Sequence, residues 1–193
     1  MSIQYYFPTA IMSELHKDLA KTLLPIAKKY LADDKFVNND WGYRTTFSED
    51  VGIAKEEDLA PFVSLIHDVA RDYLVKLGYD QSKIGFDTQL WVSEMSEGDE
   101  HKKHTHPNCI LSGILYLEVP EDSAPIAFSD PRSFRSHITL PKLGEVPTNW
   151  EHVIFKPETG LMLLWESWLP HEVPKTRNKD KRITIVFNLK GIF

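Results

Sequence analysis

The 193-residue sequence contains one cysteine, Cys109, and therefore no internal disulfide. A disulfide-stapled fold is excluded, and a reducing compartment fits, with the cytoplasm as the expected location. No apolar run reaches membrane-spanning length. The opening residues Ser2-Ile3-Gln4-Tyr5-Tyr6-Phe7-Pro8 lack the basic region, apolar core and small-residue cleavage site of a secretory leader. Basic residues are in deficit: 22 Lys and Arg face 28 Asp and Glu, giving a formal charge of -6. No basic stripe appears, which argues against a nucleic-acid partner because phosphate neutralisation needs clustered cations. There is no internal repeat and no low-complexity tract, so each segment must be read on its own pattern.

The residues present are 42% hydrophobic and 26% charged, enough apolar material for one sizeable core. Residues 1–193 read as a single domain. Residues 1–80 are expected to form a helical support region. One helical pattern runs from about Thr9 to Asp33, with Ile11, Leu15, Leu19, Leu23, Ile26 and Tyr30 on one stripe. Pro25 predicts a kink or break within it. The second helix has Asp58 as candidate N-cap and Pro61 in its first turn. Phe62, Leu65, Ile66, Val69, Tyr73 and Leu77 form its apolar face, and Gly78 stops it.

From Ile84 the period changes to two, as in Phe86-Asp87-Thr88-Gln89-Leu90-Trp91-Val92-Ser93. Further strands are expected near Cys109–Val119, Pro125–Ser129, His152–Phe155, Leu161–Trp165, Leu169–Val173 and Arg182–Leu189. The interval from Asp130 to Trp150 reads as a long loop or a short extra strand pair, a frequent kind of binding element. Helices followed by about eight short strands imply an α+β fold, a two-sheet jelly roll with the N-terminal helices packed on its outside. Residues 84–193 form the core of that arrangement. The helical layer offers an apolar face that a homodimer could cover.

Chemistry concentrates in Glu100-His101-Lys102-Lys103-His104-Thr105-His106-Pro107. Residues two apart in extended backbone share a face, so His104 and His106 can converge on one ion, whereas His101 and His104 cannot do so in a regular strand. Imidazole suits several divalent metals and does not choose among them. Downstream, His171 stands beside Pro170 in an apolar strand region, and Arg182 opens Arg182-Ile183-Thr184-Ile185-Val186-Phe187. Ile183, Ile185 and Phe187 alternate, which puts Arg182, Thr184 and Val186 on the opposite face. An inward arginine there needs an anionic partner.

The order His-X-His, a late His and then Arg-X-Thr resembles the signature of the iron(II)/2-oxoglutarate-dependent oxygenases. The resemblance covers roughly Gln89 to Phe193 and is nearest to oxygenases from phages and marine bacteria. It rests on His104-Thr105-His106-Pro107, Ser112-Gly113, Asp130-Pro131-Arg132, Trp165-Glu166-Ser167-Trp168, His171-Glu172-Val173-Pro174 and Arg182. It implies a double-stranded β-helix that uses Fe(II), 2-oxoglutarate and dioxygen to hydroxylate a substrate, with decarboxylation of 2-oxoglutarate to succinate. His104, His106 and His171 are the implied iron ligands, and Arg182 the implied partner of the distal carboxylate of 2-oxoglutarate. Thr184 and Tyr116 are further cosubstrate-binding candidates. Trp91, Arg132 and Trp168 are candidates for the substrate pocket.

The broad family carries a carboxylate where this sequence has His106, and Asp130 is the rival for that ligand position. Two other readings compete. One is a cupin-like metalloenzyme using zinc, manganese or nickel without 2-oxoglutarate, which Arg182 argues against. The other is a non-catalytic module stapled by its metal. The substrate, a small molecule or a peptide, is not legible from the residues.

Overall fold

Strand β10, Arg182–Ile192, shows how the alternation builds this chain. Ile183, Ile185, Phe187 and Leu189 turn one way, into a core shared with the helices, while Val186 packs on the opposite side against a second core. Neighbouring strands repeat the division. In β3, Gly85–Met95, Leu90 and Val92 face the helices; in β5, Leu111–Glu118, Leu115 and Leu117 do so while Ile114 and Tyr116 face the second core. The computed structural model describes residues 2–38, 40–49, 52–132 and 140–193.

Ten strands form two antiparallel sheets among the described residues. The larger has the order β1-β8-β5-β10-β3-β2 and the smaller β4-β9-β6-β7. The remaining elements of the larger sheet are β1 (Ile11–Leu15), β2 (Arg44–Thr45) and β8 (Leu161–Glu166). The smaller is built from β4 (His101–His104), β6 (Ile126–Ser129), β7 (His152–Phe155) and β9 (His171–Val173). Phe128, Trp165, Tyr116, Leu163 and Leu169 fill the space between the sheets. This is the expected double-stranded β-helix. Gly113 is required where β5 passes β10, because a Cβ there would lie 2.2 Å from the Phe187 ring and 2.9 Å from the Leu163 carbonyl oxygen.

The helices α1 (Lys17–Ala32) and α2 (Ala60–Lys76) cover the outer face of the larger sheet. Ala20, Leu23, Ala27, Tyr30 and Leu31 line the buried side of α1, and Phe62, Ile66, Ala70, Tyr73 and Leu74 that of α2. Three expectations for this region are corrected. Ile11 to Leu15 are not helical: they pair along their whole length with β8, because an open sheet edge satisfies their backbone groups better than an isolated turn would. Helix α1 passes through Pro25 without a break. Pro25 is on the exposed face, where solvent can take the carbonyl that loses its amide partner. Asp58 does not cap α2; its carboxylate accepts from Lys29 and Tyr30 instead, and α2 starts with Pro61 in its first turn. Gly78 does end α2, at φ +87°, with the Tyr79 amide donating to Leu74 O at 2.9 Å. The N-terminal region therefore supplies two strands as well as the helices.

Part of the Asp130–Trp150 interval, residues 133–139, lies outside the described residues, and with it His137. Residues 140–150 carry no strand. No described helix is long and apolar enough to cross a membrane.

Candidate metal centre

The smaller sheet brings the histidines together. His104 ends β4 and His171 opens β9, and the two are direct partners in the register of that strand pair. His106 lies beyond the end of β4, where its amide donates to Ser167 O at 3.0 Å. Ser167 sits in the β8–β9 turn, and its own amide donates to Ile110 O at 3.0 Å, so the turn that delivers His171 also holds the backbone of His106. Each of His104, His106 and His171 offers one ring nitrogen, and the three atoms lie within 4.8 Å of one another. Asp130 does not join them.

Asp130 has another role. Its two carboxylate oxygens accept from Arg132 Nε at 2.8 Å and Arg132 Nη2 at 2.7 Å, and Oδ1 also accepts from the Arg132 amide. Arg132, a pocket candidate by sequence, is accordingly an exposed side chain turned onto Asp130.

Burial controls the protonation of the cluster. Desolvation, reinforced by neighbouring imidazoles, pushes both His106 and His171 down to about 3, and lowers His104. At neutral pH these rings are uncharged and present lone pairs, as metal ligation requires. The His171 ring is enclosed by Trp165, with centroids 4.9 Å apart, and by Phe128 at 5.8 Å. Trp91 is buried with its ring 6.5 Å from His106. Trp168, the other aromatic pocket candidate, is 48% exposed on the β8–β9 turn.

His101 departs from the expectation for a regular strand. A register irregularity between His101 and His104 puts their rings on one side, stacked at 4.0 Å with planes 9° apart. His101 receives or gives a hydrogen bond with Tyr43 Oη at 3.0 Å, and burial pushes it down to about 4.

The cation at the far end of the interior row is Arg182, 3% exposed. Its guanidinium donates to Ala124 O at 2.5 Å and to Met95 Sδ at 2.9 Å, and lies 5.7 Å from the centre of the Tyr116 ring. Among the described residues Arg182 makes no ion pair, so the expected anionic partner is not found there. Its Nε and the Tyr116 hydroxyl are both buried without a partner there. Thr184, directly across from Tyr116 in the register and also buried, completes this corner. A fully buried guanidinium beside an unsatisfied phenol is a costly arrangement unless an anion can enter it.

The family described as "Putative 2OG-Fe(II) oxygenase" matches residues 89–188, the span that holds every one of these groups except Tyr43. The chain belongs to this 2OG-Fe(II) oxygenase family. Solved structures share the fold at low identity. A prolyl-4-hydroxylase from Pseudomonas putida matches with a TM-score of 0.64 and 13% identity, over 94% of this chain and 92% of that one. A prolyl hydroxylase from Trichoplax adhaerens, solved with a hypoxia-inducible-factor peptide, matches with a TM-score of 0.61 and 13% identity, over 93% and 83%. A non-heme α-ketoglutarate-dependent epimerase from nogalamycin biosynthesis gives 0.60 and 11%, over 94% and 76%. No curated protein matches the sequence.

For this family the donor set is chemically suitable. Three neutral imidazoles suit iron(II), and the unsatisfied Arg182 and Tyr116 groups suit a carboxylate. Two surface grooves of about 640 and 780 Å³, which share Lys21, Val119, Pro120 and Thr159, include none of the three histidines.

Two residues that the sequence pattern did not single out as site residues adjoin the cluster: Asn188 touches His106, and Gln89 touches Asn188. Asn188 Nδ2 lies 3.1 Å from His106 Nδ1 and 3.2 Å from Gln89 Oε1. The available signal was the period of two: Gln89 and Asn188 occupy the same inward-facing parity as Trp91 and Val186.

Proposed function

We propose that this protein is an iron(II)- and 2-oxoglutarate-dependent oxygenase that hydroxylates a C–H bond of a small molecule or a peptide. The observation that carries the reading is the convergence of His104, His106 and His171 in a barrel whose interior also buries Arg182 without an ion pair among the described residues. In this reading the three imidazoles hold iron, His104 and His171 from the paired strands β4 and β9 and His106 from the loop that follows β4. When bound, iron with 2-oxoglutarate and dioxygen supplies the oxidising chemistry, with decarboxylation of the cosubstrate to succinate.

The protein's own residues bind and orient. Arg182 receives the distal carboxylate through its Nε–H, which has no partner among the described residues, while the Tyr116 hydroxyl donates a further hydrogen bond. Thr184 stands beside them as a second hydroxyl. Phe128, Trp165 and Trp91 keep water from the rings they touch, which strengthens every charge interaction inside. Three neutral ligands leave the centre one positive charge richer than a set with a carboxylate would, and this favours capture of an anionic cosubstrate.

Anaerobic addition of iron(II) and then 2-oxoglutarate tests the reading. The expected result is a visible charge-transfer band that appears only with both present. Stoichiometric iron binding with no band and no 2-oxoglutarate binding would refute it.

A further inference from the structure

Backbone carbonyls dictate the tautomers of two histidines in the cluster. His104 Nδ1 lies 2.7 Å from Lys102 O, and His171 Nδ1 lies 2.9 Å from Leu169 O. A carbonyl only accepts, so both rings donate from Nδ1, and each neutral ring keeps its lone pair on Nε2. These two are ready to ligate through Nε2.

His106 is wired in the opposite sense. Gln89 Nε2 donates to Ser48 O at 2.6 Å, which leaves Gln89 Oε1 as the atom turned toward Asn188. That oxygen accepts from Asn188 Nδ2 at 3.2 Å, and Ser112 Oγ donates to Asn188 Oδ1 at 2.8 Å. The amide of Asn188 is thus oriented from both sides, and its Nδ2 is the atom 3.1 Å from His106 Nδ1. His106 Nδ1 accepts, so the neutral ring carries its proton on Nε2. That proton has an acceptor in the lone pair of His171 Nε2, 3.2 Å away. The two N–H groups of Asn188 Nδ2 therefore donate in opposite directions, one toward Gln89 Oε1 and on to Ser48 O, the other through His106 and His171 to Leu169 O. Asn188 is the direct partner of Gln89 on β3 and of Ser112 on β5, and all three are buried, so few other partners are within their reach.

We propose that Gln89 and Asn188 are positioning residues that hold His106 in its Nε2–H tautomer when metal is absent, making His106 the last of the three ligands to engage. This rests on the ligand set of the function proposed above. Ligation through His106 Nε2 requires the ring proton to move to Nδ1, with the number of protons on the ring unchanged. There it meets the N–H of Asn188, so the Asn188 amide must reverse and offer Oδ1 instead, giving up its contact with Gln89. His104 and His171 take the metal first, and the grip of Gln89 on Asn188 opposes completion of the site. Loosening that grip should tighten metal binding, the reverse of what loss of a merely structural hydrogen bond would do.

Two measurements test this. Nitrogen-15 spectra of the metal-free wild-type protein at neutral pH should show Nδ1–H for His104 and His171 and Nε2–H for His106; Nδ1–H on His106 overturns the proposal. Chelator competition with Zn(II) alone should show about 10-fold tighter binding in Gln89→Met, the lower end of the range for partners of metal ligands. Asn188→Asp, which offers His106 a carboxylate acceptor, should move in the same direction. The Gln89→Met effect should vanish on a His106→Ala background. Equal or weaker Zn(II) binding in both single variants overturns the proposal. A wild-type protein that binds no Zn(II) would refute the ligand set itself, and the metal-free spectrum would still decide the tautomer of His106.

Discussion

Replacing Arg182 by methionine should separate cosubstrate binding from folding. The guanidinium is buried, its Nε has no partner among the described residues, and burial holds it below the usual arginine range. Two effects oppose each other in the metal-free protein. Removing a buried, uncompensated cation relieves a desolvation cost, and exchange of buried charges for apolar groups is often stabilising by about 1–4 kcal/mol. Against that, Ala124 O loses its donor, at about 1–3 kcal/mol for an unsatisfied buried group. The net change in stability should therefore lie within about 1 kcal/mol of zero, since the two terms are of similar size. Affinity for 2-oxoglutarate has no such offset. Breaking one side of a buried, hydrogen-bonded charge pair costs about 2–5 kcal/mol, a rise in Kd of roughly 30-fold or more. Urea denaturation of the metal-free protein gives the first quantity, and calorimetric titration of 2-oxoglutarate into the Zn(II)-loaded protein, which is redox-inert, gives the second. A variant that loses more than about 3 kcal/mol of stability, the scale of a broken buried pair, yet binds 2-oxoglutarate unchanged would make Arg182 structural and refute the reasoning.

Three further outcomes are expected. Asp130→Asn should keep wild-type Zn(II) affinity, because its carboxylate is committed to Arg132, whereas His106→Ala should lose most of it; the reverse pattern would return Asp130 to the ligand set. Gly113→Ala should cost about 1–3 kcal/mol through overpacking against Phe187, read as a lower Tm, and an unchanged Tm would mean that the ring yields freely. The metal-free protein should lose stability as pH falls from about 6.5 toward 3: His171 is pushed down to about 3 when folded, so in that window the unfolded chain binds the extra proton. The slope is about 1.4 kcal/mol per pH unit for that buried ring, and urea midpoints that do not fall between pH 7 and 5 would contradict it.

The strands that face both cores were legible because each carries an uninterrupted period of two. The residues on β10 and β3 needed nothing beyond alternation to be assigned to a face. Ile11–Leu15 was not legible in the same way. Its apolar spacing also fits a helix, and only the presence of β8 at the sheet edge, a tertiary fact, selects the strand. Asp58 illustrates the same limit for caps: a carboxylate at the right spacing was drawn away by Lys29 and Tyr30, contributed by a different helix.

At the site, residue type and parity carried the argument to the histidines but not to their wiring. His104 and His106 were found by their spacing of two, and His171 by its isolation in an apolar strand region. His101 stays outside the group of three, as the rule expects, although a register irregularity between β4 and β9 stacks its ring on His104. Which nitrogen of each imidazole carries the proton depends on groups scattered over the chain: Lys102 O and Leu169 O lie two residues from their histidines, but Asn188 is 82 positions from His106. Local carbonyls preset two ligands at no cost in long-range order, while the third is governed by an amide that must itself be held by Gln89 and Ser112 across two strand pairings. A difference of that kind exists only once the sheet has formed, so the candidate ligands can be read from the sequence pattern, while the tautomer of each ring is set by the fold.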